Sequence, residues 1–406
     1  MTTDELNSGS ESVRMSRWTA LVLLAAALLL GMSLWFAVSA VAPQIAREWH
    51  LDGSTTAWLT LAVQIGFVAG TLASAIFNLP DVIRARHLFA LCAFGGAAVN
   101  AILAWTTHSA APAIALRFLT GMFLAGVYPP AMKVIATWFR VGRGFALGVL
   151  IGALTLGKSS PYLVNAVGSS SWRINVSFAS LSALAGALIV LLLHDGPYAL
   201  PNQPFDLTQV TDIVRNRGVR LANFGYFGHM WELYAMWTWA PAMFRAAMSP
   251  KLAEVASFVV IGSGAVGCVA AGLLADRAGR TVVASTAMAI SGACCIAIGF
   301  VFGRSEYALL AIALIWGASV VADSAQFSAC VTELGDPRYI GTALTIQTCI
   351  GFLITTLTIG LVPVLVAHIG WRYAFAFLAP GPFLGIVAMM RLRSLPEASK
   401  LAGGRG

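Results

Sequence analysis

"GMSLWFAVSAVAP" (31–43) and "GHMWELYAMWTWAP" (228–241) are two copies of one pattern, and reading them as a repeat decides the fold. Each opens on glycine, runs through apolar and aromatic residues, and closes on Ala-Pro. A second pair recurs further along: "SWRINVSFASLSALAG" (171–186) and "GWRYAFAFLAPGPFLG" (370–385). Gly31 to Gly228 is a shift of 197, Trp172 to Trp371 of 199, and Asp81 to Asp276 of 195. Three nearly equal shifts indicate that the second half of the chain repeats the first.

Composition says what is repeated. Of 406 residues, 58% are hydrophobic and 10% charged, against about 25% charged in a soluble domain. Such a chain has too little polar surface for water and takes lipid as its main solvent. A membrane helix needs about 20 apolar residues. Candidate spans lie near 18–43, 56–78, 87–107, 111–134, 144–166 and 172–194, then 221–245, 252–275, 281–302, 306–331, 339–365 and 371–391. Helices satisfy every backbone group inside lipid, whereas barrel strands are shorter and alternate. The expected fold is therefore an all-α membrane protein, twelve transmembrane helices in two parallel six-helix repeats around a central cavity. The first run is too long for a cleaved leader and has a counterpart later in the chain, so it reads as retained.

Lys and Arg crowd alternate loops, 17 on one side against 6 on the other, with Arg117 and Lys158 left within the membrane. By the positive-inside rule the richer side is cytoplasmic, which places both termini inside and the protein in the cell inner (plasma) membrane. The net charge of +8 is thus topological and no sign of nucleic-acid binding. The divisions read as a cytoplasmic N-terminus 1–17, a six-helix half 18–194, a polar cytoplasmic linker 195–220, a second half 221–391 and a cytoplasmic tail 392–406. An even number of spans per half gives both halves one orientation. Such transporters bind substrate near the midplane and rock one half against the other. The six cysteines all fall inside spans and lack metal-ligand spacing, so they read as small buried residues. No metal and no cofactor is expected, and no nucleotide loop or nucleophile–base arrangement suggests an enzyme.

Three motifs add a family. "GLLADRAGR" (272–280) resembles the Gly-x-x-x-Asp-Arg-x-Gly-Arg signature of the major facilitator superfamily, and "FNLPDVIRAR" is a decayed copy in the first half. "RFLTGMFLAG" (117–126) and "WFRVGRGFALG" (138–148) resemble its fourth-span and fourth-to-fifth-loop patterns. The resemblance implies a secondary transporter with spans 1, 4, 7 and 10 lining the cavity and 3, 6, 9 and 12 outermost. It also implies gating roles for Asp81, Arg84, Asp276, Arg277, Gly279 and Arg280. Gly272 and Gly279 suit close helix approach and a tight turn, and Asp276 suits the positive N-terminus of the next helix.

Charges inside the membrane are costly and usually face a cavity or a partner. Five groups qualify: Arg117 in span four, Lys158 in span five, His229 and Glu232 in span seven, and Asp323 in span ten. His229 and Glu232 are three apart and share a helix face. The repeat sets Glu232 against Trp35 and Lys158 against Thr355, so the halves are chemically unequal. Arg117 and Lys158, with Tyr128, Trp35, Trp231 and Thr355, form the expected substrate-binding set. Glu232, Asp323 and His229 form the expected proton-coupling set. The alternatives are a static Lys158–Glu232 ion pair, a structural Arg117 tied to carbonyls, a core His229, an Asp323 belonging to the gate, and tryptophans that merely pack. "VYPP" (127–130) is expected to interrupt span four, and Gly66, Gly70, Gly148 and Gly152 to bring helices close.

The leading expectation is proton-coupled uptake of a small organic or inorganic anion by a monomer in the lipid bilayer. The runner-up is proton-driven efflux of a drug or metabolite, although "GVLIGALTLG" lacks the Gly-Pro pair that drug exporters of the family often carry in span five. A non-transporting sensor on the same scaffold is a third reading, opposed by the buried charges.

Overall fold

The computed structural model of the chain describes residues 15–140, 142–168, 171–198, 210–336 and 338–405, apart from the side chains of residues 80, 81 and 212. Every regular element among them is helical. Eleven segments are long and apolar enough to cross a membrane. The twelfth, Arg217–Ala247, is 31 residues long and carries His229 and Glu232, whose polarity hides it from a hydropathy criterion. It is span seven, and it completes two groups of six.

Local chemistry sets the span starts. Ser16 caps span one by accepting from Thr19 N at 3.0 Å, Asp52 caps span two from Thr55 N at 2.7 Å, and Asn216 caps span seven from Val219 N at 3.1 Å. Each satisfies a backbone donor that a helix start leaves free. Span one does not end at 43 as its composition suggests. It breaks between Arg17–Met32 and Ala37–Trp49, then runs on to Trp49. There Glu48 accepts from Trp172 Nε1 at 2.6 Å and Arg173 Nη1 at 2.9 Å, which ties the extension to span six. Span four breaks between Ala110–Leu124 and Tyr128–Ala136, where Pro129 and Pro130 cannot donate to the preceding turn. Span ten breaks between Glu306–Ser319 and Ser324–Leu334. Span seven, the repeat partner of span one, is continuous.

Within each half the outer spans pair, three with six and nine with twelve. The large apolar side chains of Phe94, Phe178, Phe300 and Phe383 on these spans point outward, as lipid-facing residues should. The two halves meet along spans five and eight, and along two and eleven. At the first seam a Cβ on Gly148 would sit 2.6 Å from the Cys268 carbonyl oxygen, and one on Gly272 2.6 Å from that of Gly144. Backbones approach this closely only where side chains are missing. Gly66 and Gly70 play the same part inside the first half, against Phe118 and Met122 of span four.

Candidate functional site

Lys158, on span five (Arg143–Val167), lies at the seam between the halves and is 1% exposed. Its Nζ donates a hydrogen bond to the hydroxyl of Tyr234 on span seven. It also sits 3.9 Å from the ring centre of Trp35, 4.5 Å from that of Tyr234 and 5.1 Å from that of Trp237. An ammonium over an aromatic face is attracted by the ring quadrupole, by up to about 2 kcal/mol when desolvated. Phe67 of span two and Phe352 of span eleven close the cluster, 5.1 and 5.7 Å from Trp35 and 4.5 Å from each other. Five spans from both halves therefore converge on one cation. No carboxylate among the described residues pairs with it.

Glu232 is not its partner. The carboxyl points away from the seam into the second half, where Trp316 Nε1 donates at 2.5 Å, Ser291 Oγ at 2.9 Å and Cys295 Sγ at 3.1 Å. The indole can only donate, whereas the hydroxyl and the thiol can donate or accept, so the set can hold the carboxyl with or without its proton. Two of them come from span nine, an outer span whose sequence carries no charge. One turn away on the same face, His229 Nδ1 lies 2.8 Å from Asp323 Oδ1 at the break of span ten. The two polar atoms touch without hydrogen-bond alignment, a pair that is ionic only when the imidazole carries a second proton, and His229 Nε2 has no partner. The three groups expected to handle protons thus lie together along the contact of spans seven and ten, separate from Lys158.

Arg117 is wholly buried and faces the break in span one. Its guanidinium donates to Trp35 O at 2.5 Å, Leu34 O at 3.0 Å, Leu59 O at 3.3 Å and Asn100 Oδ1 at 3.5 Å. The break frees the Leu34 and Trp35 carbonyls from their helical donors, and lipid supplies no substitute. Arg117 supplies it, and so fixes the backbone that carries the Trp35 ring. Thr355 is buried and donates to Phe352 O at 2.7 Å in its own helix. Tyr128 is half-buried at the break of span four. Trp231 is turned away from the seam: its Nε1 donates to Phe377 O at 3.3 Å and its ring packs on Phe377 of span twelve.

Contacts close the site at both ends. At the end bearing the termini, the Asp276 carboxylate lies beside Gly144, where an added Cβ would be 3.2 Å from either oxygen. It meets the first turn of span five across the seam, where the expectation was the helix that follows it. Gly279, with φ +93°, makes the turn into span nine. Arg280 forms two bonds to Glu333, of 2.8 and 2.5 Å, and a third to Gln326 at 3.2 Å. The tail joins in: Ala402 N donates to Glu333 at 3.0 Å and Arg405 Nη1 to Asp276 O at 2.6 Å. Arg277 and Arg84 are exposed, and the Asp81 side chain lies outside the described residues. In the loop after span ten, Arg338 hydrogen-bonds Asp336 and holds its carboxyl down to about 2. At the opposite end Arg245 pairs with Glu254 at 2.7 Å and reaches across the seam to Ala40 O at 3.1 Å. Asn165 donates to the same oxygen at 3.3 Å.

Sequence reasoning placed Lys158, Trp35, Glu232, His229 and Asp323 among the site residues. It missed Trp237, Phe67 and Phe352 around the lysine, and Trp316, Ser291 and Cys295 around the glutamate. The spacing of Tyr234 and Trp237, three apart on span seven, was the available signal for the cage. Nothing in the sequence points span nine at Glu232.

Two like bundles of six spans, enclosing charged groups and sealed by contacts at both ends, define a multi-pass secondary transporter of the membrane. The sequence model of the Major Facilitator Superfamily matches residues 23–355 and 223–406, and the chain belongs to that family. It is a family of transporters, not of enzymes. A structure of the xylose transporter XylE from E. coli, in a partially occluded inward open conformation, is similar in fold, with a TM-score of 0.72 at 14% identity. The match covers 92% of this chain and 97% of that one. A second XylE structure, described as a proton:xylose symporter bound to 6-bromo-6-deoxy-D-glucose, gives 0.71 at 14% identity, covering 92% and 95%. No curated protein sequence matches the chain.

Proposed function

We propose that this transporter couples proton entry to the uptake of a small anion by alternating access. It would work as a monomer in the inner membrane, with both termini in the cytoplasm. One observation carries the reading: Lys158 is buried at the seam of the halves, held by ring faces and a hydroxyl, with no acid among the described residues to neutralise it. A buried charge is expensive without a counter-charge, and an incoming anion provides one. Lys158 binds the anion, and Arg117 acts behind Trp35 as a positioning residue. Tyr128 and Thr355 shape the walls.

Glu232 takes up and releases the proton, with the His229–Asp323 pair beside it. Proton coupling is in keeping with the XylE fold, since a XylE structure is described as that of a proton:xylose symporter. The gates are Asp276 against span five with Arg280–Glu333 at one end, and Arg245–Ala40 at the other.

The test is uptake by the purified protein in proteoliposomes under an inward proton gradient, with formate, nitrate, nitrite, cyanate and xylose offered separately. Accumulation of an anion that requires both the gradient and Lys158 supports the reading. Uptake of xylose alone, or anion uptake unchanged in Lys158→Ala, sinks it. Substrate extrusion under the opposite gradient establishes the alternative, proton-driven efflux.

A further inference from the structure

The aromatic residues around Lys158 carry unused chemistry. Trp35 Nε1 and Trp237 Nε1 are both buried and have no hydrogen-bond partner, although their rings flank the ammonium at 3.9 and 5.1 Å. A buried donor left without an acceptor loses its hydration and gains nothing in return. Two such donors belong to the rings that hold Lys158, a cation with no acid partner among the described residues. Gln64 adds to the pattern. Its amide is fully buried, and neither the nitrogen nor the oxygen has a partner. Ser39 and Thr60 bond at 2.7 Å between spans one and two.

We propose that Trp35 and Trp237 donate their indole N–H groups to the substrate, and that with Lys158 they select a monovalent planar oxyanion, a carboxylate or a nitrate-like ion. This rests on the anion reading above and names the substrate class of that site. The charge follows from what faces the site: among the described residues the Lys158 ammonium meets no acid, while the Arg117 guanidinium is turned to carbonyl oxygens behind Trp35, so a single negative charge is balanced and a second would stay uncompensated in a dry site. The shape follows from the donors. Three of them, on separate side chains, need an acceptor with more than one oxygen, and flat ring walls favour a flat ion over a tetrahedral one. The indoles have a double duty, with the ring face toward the ammonium and the edge N–H for the anion.

The experiment is isothermal titration calorimetry on the purified full-length protein in detergent, with formate, nitrate, chloride and sulfate as probes. The variants are Trp35→Phe, Trp237→Phe and Lys158→Ala, each first checked for cooperative thermal unfolding without anion. Phenylalanine keeps an aromatic face and removes the N–H. The expected result is formate and nitrate bound more tightly than chloride, and sulfate not bound. Each Trp→Phe change should weaken formate by about tenfold, the worth of one hydrogen bond to a charged group. If Lys158→Ala abolishes binding while both Trp→Phe variants match the wild type, the donor assignment is wrong and the anion site stands. If Lys158→Ala binds every probe as the wild type does, the anion reading itself fails. Sulfate binding as tight as formate overturns the proposal in the unmodified protein, whether or not any variant folds.

Discussion

Glu232 and Tyr234 are two residues apart on span seven and engage opposite sides of it: Glu232 bonds to Trp316, Ser291 and Cys295 of its own half, and Tyr234 to Lys158 of the other. Two residues turn an α-helix by about 200°, so one rigid helix presents a carboxyl on one face and the hydroxyl bonded to Lys158 on the other. A change in the bonding of Glu232 that rotates or shifts span seven is felt at Lys158 without any side chain spanning the distance. This is a route for coupling through a rigid element.

Glu232→Gln removes the proposed proton carrier and keeps the size and one acceptor oxygen for Trp316. In proteoliposomes the variant should show no accumulation driven by a proton gradient, while counterflow exchange of labelled anion persists. Accumulation equal to the wild type would move the coupling site elsewhere.

Arg117→Leu leaves the Leu34 and Trp35 carbonyls without donors inside the bundle. Each unsatisfied buried group costs about 1–3 kcal/mol, so the unfolding midpoint in detergent should fall steeply. Arg117→Lys should not restore it, because a single ammonium cannot span carbonyls that a planar guanidinium bridges. A lysine variant as stable as the wild type would contradict the structural role.

His229→Ala strands the Asp323 carboxylate, and Asp323→Asn removes the charge facing His229. Either single change should cost about 3–5 kcal/mol, as when one partner of a buried pair is deleted. The double variant should lose less than the sum, which a double-mutant cycle on thermal stability measures. Strict additivity would mean that the two groups do not interact.

Gly148→Ala sets a methyl group against the Cys268 carbonyl, 2.6 Å from the ideal Cβ. Overpacking of this kind costs about 1–3 kcal/mol, which biases a two-state equilibrium by about 5- to 150-fold. The seam between spans five and eight should open at the terminus-bearing end. Maleimide labelling of the buried Cys268 should then be faster than in the wild type. Unchanged labelling would show that the seam absorbs the methyl group while closed.

The sequence alone determined the membrane class, the twelve spans and the doubling of six, because apolar length and repeat spacing are properties of local composition. It also marked Lys158, Glu232, His229 and Asp323, since any ionic group in a lipid-length helix is conspicuous. Only the tertiary structure decided how these groups partner. It set Lys158 among Trp35, Tyr234 and Trp237, sent Glu232 to span nine, and committed Arg117 to the carbonyls of a broken helix. The reason is geometric. Periodicity fixes which face of a helix a residue occupies, but the neighbour on that face comes from segments more than fifty residues away, and helix packing alone brings them together.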